Sequence, residues 1–333
     1  MRTKIVATLT AALVTLVGAP VAAPVAGAVA GPAVAHADPH HDSIRYASIK
    51  SCARENEQPR PCGAWRLVMH SGEQTTLRDA QGVALNAKGK STRYLPAAIA
   101  VSGNGQKVAY FTTTGRLAVR TLGGGVKLLP KDALPRIGQD QVSLVLSDDG
   151  GRLAALFSDD KPHATRVFDT DTGARLGTLP GHLGVQGFSD DGDELLGTVD
   201  AEESVTDLLV YSDTGKQLVR ATPPQVVASN GPQALAADGR TVANIVQGDK
   251  PELVLYDMES DQVTDRKKIK LPTGDINMID WTGDAQVTLH LVRYLSNSTR
   301  MTVVQIDTRT GAVKVRDRYT VLKDTFVFAA CGG

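Results

Sequence analysis

Carboxylates are the residues of this chain whose type and spacing first invite chemistry. Asp148-Asp149, Asp190-Asp191 and the stretch Asp169 to Asp171 set acids side by side, as general acid–base catalysis or calcium binding would require. Each group, however, falls in a Gly-containing turn that returns along the chain, and a feature of every repeat is more economically a turn device than a site. Glu202-Glu203 differs in being confined to one loop. The six histidines beyond residue 37, His40, His41, His70, His163, His182 and His290, are scattered through different phases of the repeat. Asp38, His40 and His41 form one conceivable metal set, which is not adopted. There is no G-x-S-x-G elbow, phosphate-binding G-x-x-x-x-G-K-[ST] loop, H-E-x-x-H helix or zinc-spaced cysteine pair with histidines downstream. No catalytic residue, metal or cofactor is therefore expected.

Thiols offer a second chemistry. Cys52 and Cys62, with Ala53 to Pro61 between them, read as a disulfide in an oxidising compartment. Closing so short a loop stabilises by roughly 2–3 kcal/mol, less if strained. Cys331 is then a free thiol in a tight turn with no histidine assignable beside it. Pairing of Cys331 with Cys52, with Cys62 or between chains is the alternative.

The elements that position these groups follow from two turns running in step. The first reads Ser102-Gly103-Asn104-Gly105, Ser147-Asp148-Asp149-Gly150, Ser189-Asp190-Asp191-Gly192, Ala236-Ala237-Asp238-Gly239 and Trp281-Thr282-Gly283-Asp284, in steps of 45, 42, 47 and 45 residues. That is the period of a four-stranded propeller blade. The second reads Asp169-Thr170-Asp171-Thr172-Gly173, Ser212-Asp213-Thr214-Gly215, Asp257 to Asp261 and Asp307-Thr308-Arg309-Thr310-Gly311. Asp or Ser at the first position can accept from backbone amides, and Gly takes the left-handed position of a hairpin. Each repeat thus reads as strand A, tight turn, strand B, looser loop, strand C, tight turn, strand D.

The stretch from Val167 to Gly181, followed by His182 and by Val185 to Gly192, resembles the WD-repeat and TolB-like class of β-propellers, and the likeness spans residues 97–320. It implies an all-β propeller and is specific for fold, not function. Where the WD family carries Trp-Asp at the end of strand C, this chain has Phe168-Asp169, Tyr211-Ser212, Tyr256-Asp257 and Ile306-Asp307. The resemblance also implies that His182, after Pro180-Gly181, makes a structural hydrogen bond between strands D and A.

Blades beginning near Ala98, Val142, Val185, Gln233 and Met278 make five. Near the N-terminus only three strands are available, Ser43 to Ser51, Ala64 to His70 and Gln74 to Arg78, while Thr325 to Ala330 supplies a fourth from the other end. The expected fold is therefore all-β, a single propeller of six four-stranded blades closed by the C-terminal strand joining the N-terminal strands. Closure removes an exposed sheet edge. Five or seven blades remain open, because Gly82 to Pro96 is a long connection.

Arg2 and Lys4, the apolar run Ile5 to Val17 and the small-residue site Ala35-His36-Ala37 read as a secretory signal peptide over residues 1–37. Residues 38–43 form a tail and 44–333 the propeller domain. The expected location is secreted or extracytoplasmic, with no membrane span after signal removal. The chain has 36 Lys plus Arg against 36 Asp plus Glu, so nucleic-acid binding has no electrostatic support. The run Arg266 to Lys270 reads as a solvated outer strand whose charges deter edge pairing.

In a propeller the A–B and C–D turns lie on one face and the B–C and D–A loops on the other. The first set is short and uniform here; the second, including Lys131 to Asp140, Gly181 to Val185, Pro223 to Pro232, Pro272 to Ile276 and Gly82 to Pro96, varies. Variable loops on a rigid scaffold carry specificity. Arg93, Tyr94, Arg136, His182, Asn230 and Asp275 are the candidate lining residues, and Arg93 with Tyr94 and Arg293 with Tyr294 the candidate anchors. The expected function is an exported, non-catalytic, monomeric propeller binding a protein, peptide or cell-envelope component through this face. The alternative is a propeller enzyme of lactonase, glycan-lyase or quinoprotein-dehydrogenase type.

Overall fold

A computed structural model of the chain describes residues 42–53, 57–200 and 206–332. The expected signal peptide, most of the tail with Asp38, His40 and His41, and the Glu202-Glu203 pair lie outside the described residues.

The chain begins with three antiparallel strands, β1 (Ile44–Cys52), β2 (Arg60–Met69) and β3 (Gln74–Leu77), and then a hairpin, β4 (Val83–Leu85) with β5 (Ser91–Pro96). The next blade is β6 (Ile99–Val101), β7 (Lys107–Phe111), β8 (Leu117–Thr121) and β9 (Val126–Leu128). It is followed by β10 (Val142–Leu146), β11 (Arg152–Phe157), β12 (Thr165–Asp169) and β13 (Arg175–Leu179). Then come β14 (Gly184–Phe188), β15 (Glu194–Asp200), β16 (Thr206–Ser212) and β17 (Gln217–Ala221). A single helical turn, α1 (Gln225–Ala228), leads into β18 (Gln233–Leu235), β19 (Thr241–Val246), β20 (Glu252–Asp257) and β21 (Gln262–Lys268). The last meander is β22 (Asp275–Trp281), β23 (Gln286–Leu295), β24 (Ser298–Asp307) and β25 (Val313–Thr320), and β26 (Thr325–Ala330) ends the chain's strands.

These strands form six four-stranded antiparallel sheets, the blades of a β-propeller. The order β26-β1-β2-β3 makes the first blade a composite of both chain ends and closes the ring. The connection Gly82 to Pro96 that left the blade number open is not a hidden blade: it is the two-stranded β4–β5 hairpin. Basic residues Arg266 to Lys268 do lie on an outer strand, where Lys267 pairs with Asp265 at 2.7 Å, while Ile269 just beyond it is buried.

Six apolar clusters hold the ring, each lying across one blade-to-blade interface. Leu196, Val210 and Leu208 pack with Val242, Val254 and Tyr256 between the fourth and fifth blades, for example. Because the two faces of each blade feed two different clusters, inner strands are buried on both faces. This is why they read as continuous apolar runs such as Leu253-Val254-Leu255-Tyr256 rather than as alternation.

The seam between the last and first blades has its own cluster. Tyr46 stacks on Tyr319 with ring centroids 5.3 Å apart and meets Phe328 edge-on at 6.1 Å. The Arg45 guanidinium lies 5.2 Å from the Tyr319 ring centroid and its Nε donates to Asp317 at 2.8 Å. Arg66 donates to Asp324 at 2.9 Å, and Leu322 N donates to the Tyr46 hydroxyl at 3.2 Å. Cys52 and Cys62 form a disulfide, with Cα atoms 5.9 Å apart, that joins β1 to β2 beside this seam. Cys62 already lies within strand C, opposite Lys50, not on the approach to it.

Truncation before Thr325 should expose the inner edge of β1 and strip Phe328 from Tyr46. The expected outcome is aggregation or a fall in melting temperature of more than about 10 °C. An unchanged melting curve would remove the composite blade's claim to hold the ring.

Candidate functional site

The repeated acids first find their roles on the tight-turn face. Asp169 Oδ1 accepts from Thr172 N at 2.8 Å, Thr172 Oγ1 at 2.7 Å and Asp171 N at 3.1 Å. Asp307 repeats this with Thr310 and Arg309. In the A–B turns the second acid closes the turn, as where Ser147 Oγ donates to Asp149 Oδ1 at 2.6 Å. Neighbouring blades are tied by the same turns, through Lys107 Nζ to Asp171 at 2.6 Å and Arg152 Nε to Asp213 at 2.8 Å. Among the described residues no three His, Cys, Asp or Glu side chains converge to hold a metal ion.

The first acid of the A–B pair behaves differently. Burial, and then the charge of Asp190, raise the Asp148 carboxyl, whose Oδ1 occupies the space a Cβ on Gly103 would need. Asp148 borders a small polar crevice at the seam, of about 20 Å³, space on the scale of one water molecule, together with Asp280, His290, Arg316 and Cys331. Asp280 keeps some exposed surface, but its carboxyl packs toward Gly332 and is enclosed; burial and the neighbouring Asp148 push it up to about 8. Burial pushes His290 down to about 4 and the Cys331 thiol up to about 11. The structure thus corrects the expectation that no histidine lies beside Cys331: both border one crevice. A thiol raised in this way is a poor nucleophile at neutral pH.

A larger concavity opens on the other face, at the mouth of the central channel, with a volume of about 730 Å³. Its walls come from the innermost strands of four blades, β26, β6, β10 and β22, and from the segments that rise beside them. Phe326, Val327 and Phe328 of β26 and Met278 of β22 form the inner wall; Leu322 lies on the D–A connection. Leu95 projects from the β4–β5 hairpin, and Tyr294 and Leu295 from the β23–β24 ribbon. That ribbon is the longest in the molecule, ten residues a side, with Leu295 opposite Ser298 at its tip.

Two arms therefore flank the mouth, and each carries the tripeptide Arg-Tyr-Leu, at 93–95 and at 293–295. Tyr94 is 50% exposed and Leu95 47%; Tyr294 is 68% exposed and Leu295 37%. The first arm is held from beneath, since Leu85 N donates to the buried Gln139 Oε1 at 2.9 Å and Arg136 Nε donates to Ala87 O at 3.0 Å. Arg93 sits in the left-handed region at φ 69°, a conformation uncommon for a side-chain-bearing residue and often found where backbone is constrained for a task.

The sequence candidates divide. Tyr294 lines the mouth, whereas Tyr94 stands beside it on an arm whose Leu95 provides the lining. Asn277 lines it, two residues beyond the exposed Asp275 that starts β22. Arg136 has a structural partner, and Asn230 donates to Val226 O at 3.0 Å in the turn of α1. His182 is exposed, and its expected bond between strands D and A is not formed among the described residues; Leu183 beside it is buried instead. Leu95, Leu295 and Val327 were missed, although the doubled Arg-Tyr-Leu was available to find two of them.

No protein-family model matches the sequence, and no curated protein does. Among solved structures, putative TolB from Agrobacterium tumefaciens is similar at 16% identity, over 87% of this chain and 92% of that one, with a TM-score of 0.46. TolB from Acinetobacter baumannii is 15% identical over 83% and 65%, TM-score 0.46. The β-propeller domain of the Trilobed protease from Pyrococcus furiosus, which has an open velcro topology, is 14% identical over 82% and 80%, TM-score 0.46.

Two outcomes test the crevice. Asp280 is raised in the fold, so its contribution to stability is full below about pH 4 and is lost as pH rises through about 8. Asp280→Asn should leave the melting temperature unchanged near pH 4 and raise it at pH 8–9 by on the order of 5 °C; a gap independent of pH would contradict this. Cys331 should resist maleimide in the native protein and react fully once unfolded, read by intact mass.

Proposed function

We propose that this protein is an exported, non-catalytic β-propeller that captures a protein, peptide or cell-envelope partner at the mouth of its loop-rich face. Residues 1–37 would serve as leader, 38–43 as tail and 44–333 as the binding domain. One observation carries the reading. Among the described residues eight large apolar side chains are exposed, and five of them, Tyr94, Leu95, Tyr294, Leu295 and Val327, stand on or beside this mouth. Folding alone gives no reason to gather exposed apolar surface in one concavity, whereas an interaction site does. The Cys52–Cys62 disulfide suits an oxidising compartment, in keeping with export.

The enzyme reading would need a carboxylate with a histidine or metal converging at this mouth. Among its described lining residues Asp140 is the one acid and there is no histidine. The side chains present can bind, orient and exclude water; they do not include a nucleophile paired with a base.

Tyr294→Ala combined with Leu295→Ala, and separately Arg93→Ala with Tyr94→Ala, should each lower capture of the partner from envelope extracts by about tenfold. Because these residues are exposed, the melting temperature should stay within about 2 °C. Equal capture by wild type and both variants would place the binding face elsewhere. Turnover of a lactone, glycan or alcohol by metal-replete protein, abolished by replacing Asp140, would make the protein an enzyme.

A further inference from the structure

Charge around the mouth is distributed unevenly, in a way the whole-chain balance of 36 against 36 conceals. The arm from Val83 to Pro96 carries Lys88, Lys90 and Arg93 and no acid; the ribbon tip from Arg293 to Arg300 carries those two arginines and no acid. Among the described residues none of these five cations makes an ion pair. On the connection from β25 to β26 the acid Asp324 is already engaged by Arg66 at 2.9 Å and Lys50 at 3.6 Å, which leaves the exposed Lys323 beside it. Asp140 is the single carboxylate and Lys323 the single basic residue among the described residues lining the concavity; the five arm cations stand around it, and the exposed Asp275, opposite Val292, is the acid beside Arg293.

Register sharpens the point. Arg293 of β23 stands directly opposite Arg300 of β24, and both are exposed. Like charges facing each other across a strand pair destabilise the pair, so the free protein holds two guanidinium groups in an arrangement its own stability does not favour. An anion shared between them reverses the sign of that term. Between the cationic arms, by contrast, the concavity is walled by Tyr294, Leu295, Leu322, Val327 and Phe328.

We propose that the mouth takes an acidic polypeptide segment with an apolar centre: aliphatic or aromatic side chains seated between the two Arg-Tyr-Leu arms, and flanking carboxylates paired with the arm cations. This rests on the reading of the mouth as the binding face and adds the chemistry of what enters it. Concavity favours a segment over a flat anionic surface, because a volume of about 730 Å³ can be filled by projecting side chains and not by a plane of headgroups. Steering by the arms would make association fast and sensitive to salt.

The test is selection of a random-peptide display library on the immobilised full-length mature protein, followed by anisotropy with the enriched peptides made synthetically. The expected winners carry Asp or Glu flanking aromatic or aliphatic residues. Their affinity should fall about tenfold with Arg293→Gln and Arg300→Gln together, fall again with added salt, and be lost with Tyr294→Ala and Leu295→Ala. Arg293→Gln with Arg300→Gln should not lower the melting temperature, since it removes a repulsive pair. Enriched peptides that are neutral or basic yet still need Tyr294 and Leu295 would overturn the acidic partner and leave the mouth reading intact. Peptides indifferent to both pairs of substitutions would overturn both. Failure to enrich any peptide also overturns the proposal, and flotation with phosphatidylglycerol vesicles, sensitive to the same Gln substitutions, would then identify an anionic membrane surface as the occupant.

Discussion

Pairing of β26 with β1 is the interaction on which the rest of this molecule depends. Every other blade is a local meander whose strands meet their neighbours within a few tens of residues, but the first blade joins Tyr46 to Ala330 and Ile49 to Val327 across almost the whole chain. The entropic cost of closing so long a loop grows only slowly with length, and it is offset where it arises, by the Tyr46–Tyr319 stack, the Arg45–Asp317 bond and the buried wall they complete. A ring lacking that pairing would present open edges on both end blades.

Closure also makes the surfaces that could act. Val327 and Phe328 line the mouth, and Cys331 and Gly332 border the polar crevice at the opposite end of the same strand. Both regions straddle the seam between the last and first blades, so each draws residues from the two ends of the chain. Under the proposed function, binding at the mouth would be linked to ring closure: a partner that contacts β26 and the β23–β24 ribbon together would stabilise the closed form over any opened one.

Legibility in the sequence followed the range of the interactions. Blade period and strand order were readable because turns such as Ser147 to Gly150 and Asp307 to Gly311 are local devices, with Ser, Asp and Gly each fixed by backbone geometry, and the closing strand was readable by subtraction, three N-terminal strands lacking the fourth that Thr325 to Ala330 supplies. The disulfide was readable for the same reason, its partners being ten residues apart. What could not be read was anything set by cross-blade packing. Asp280, His290 and Cys331 are scattered in sequence and share a crevice only because the seam closes. His182 was drawn into a structural role by likeness to a family step, and the loop instead buries its neighbour Leu183. Tyr294 was recognised as an anchor from local composition alone, yet its cavity partner Val327 belongs to a strand that reads as ordinary core.

The two faces of the ring also divide the costs of the fold between them. On the tight-turn face, outside the polar crevice that holds Asp148 and Asp280, many charges are compensated: Lys107 finds Asp171, Arg152 finds Asp213 and Asp169, and turn acids such as Asp169 are saturated by amides and hydroxyls. On the loop face a second set of unfavourable features collects, with Arg93 in a left-handed backbone conformation, Arg293 opposite Arg300, and apolar side chains in water at both arms. Each such feature costs stability on its own, and a fold selected for stability alone would have removed them by single substitutions of the kind natural sequences accept readily. Their concentration around one concavity, one of whose arms is held by Gln139 and Arg136, suits the proposed binding surface: an ordering cost met in the free protein would leave less of it to the moment of association.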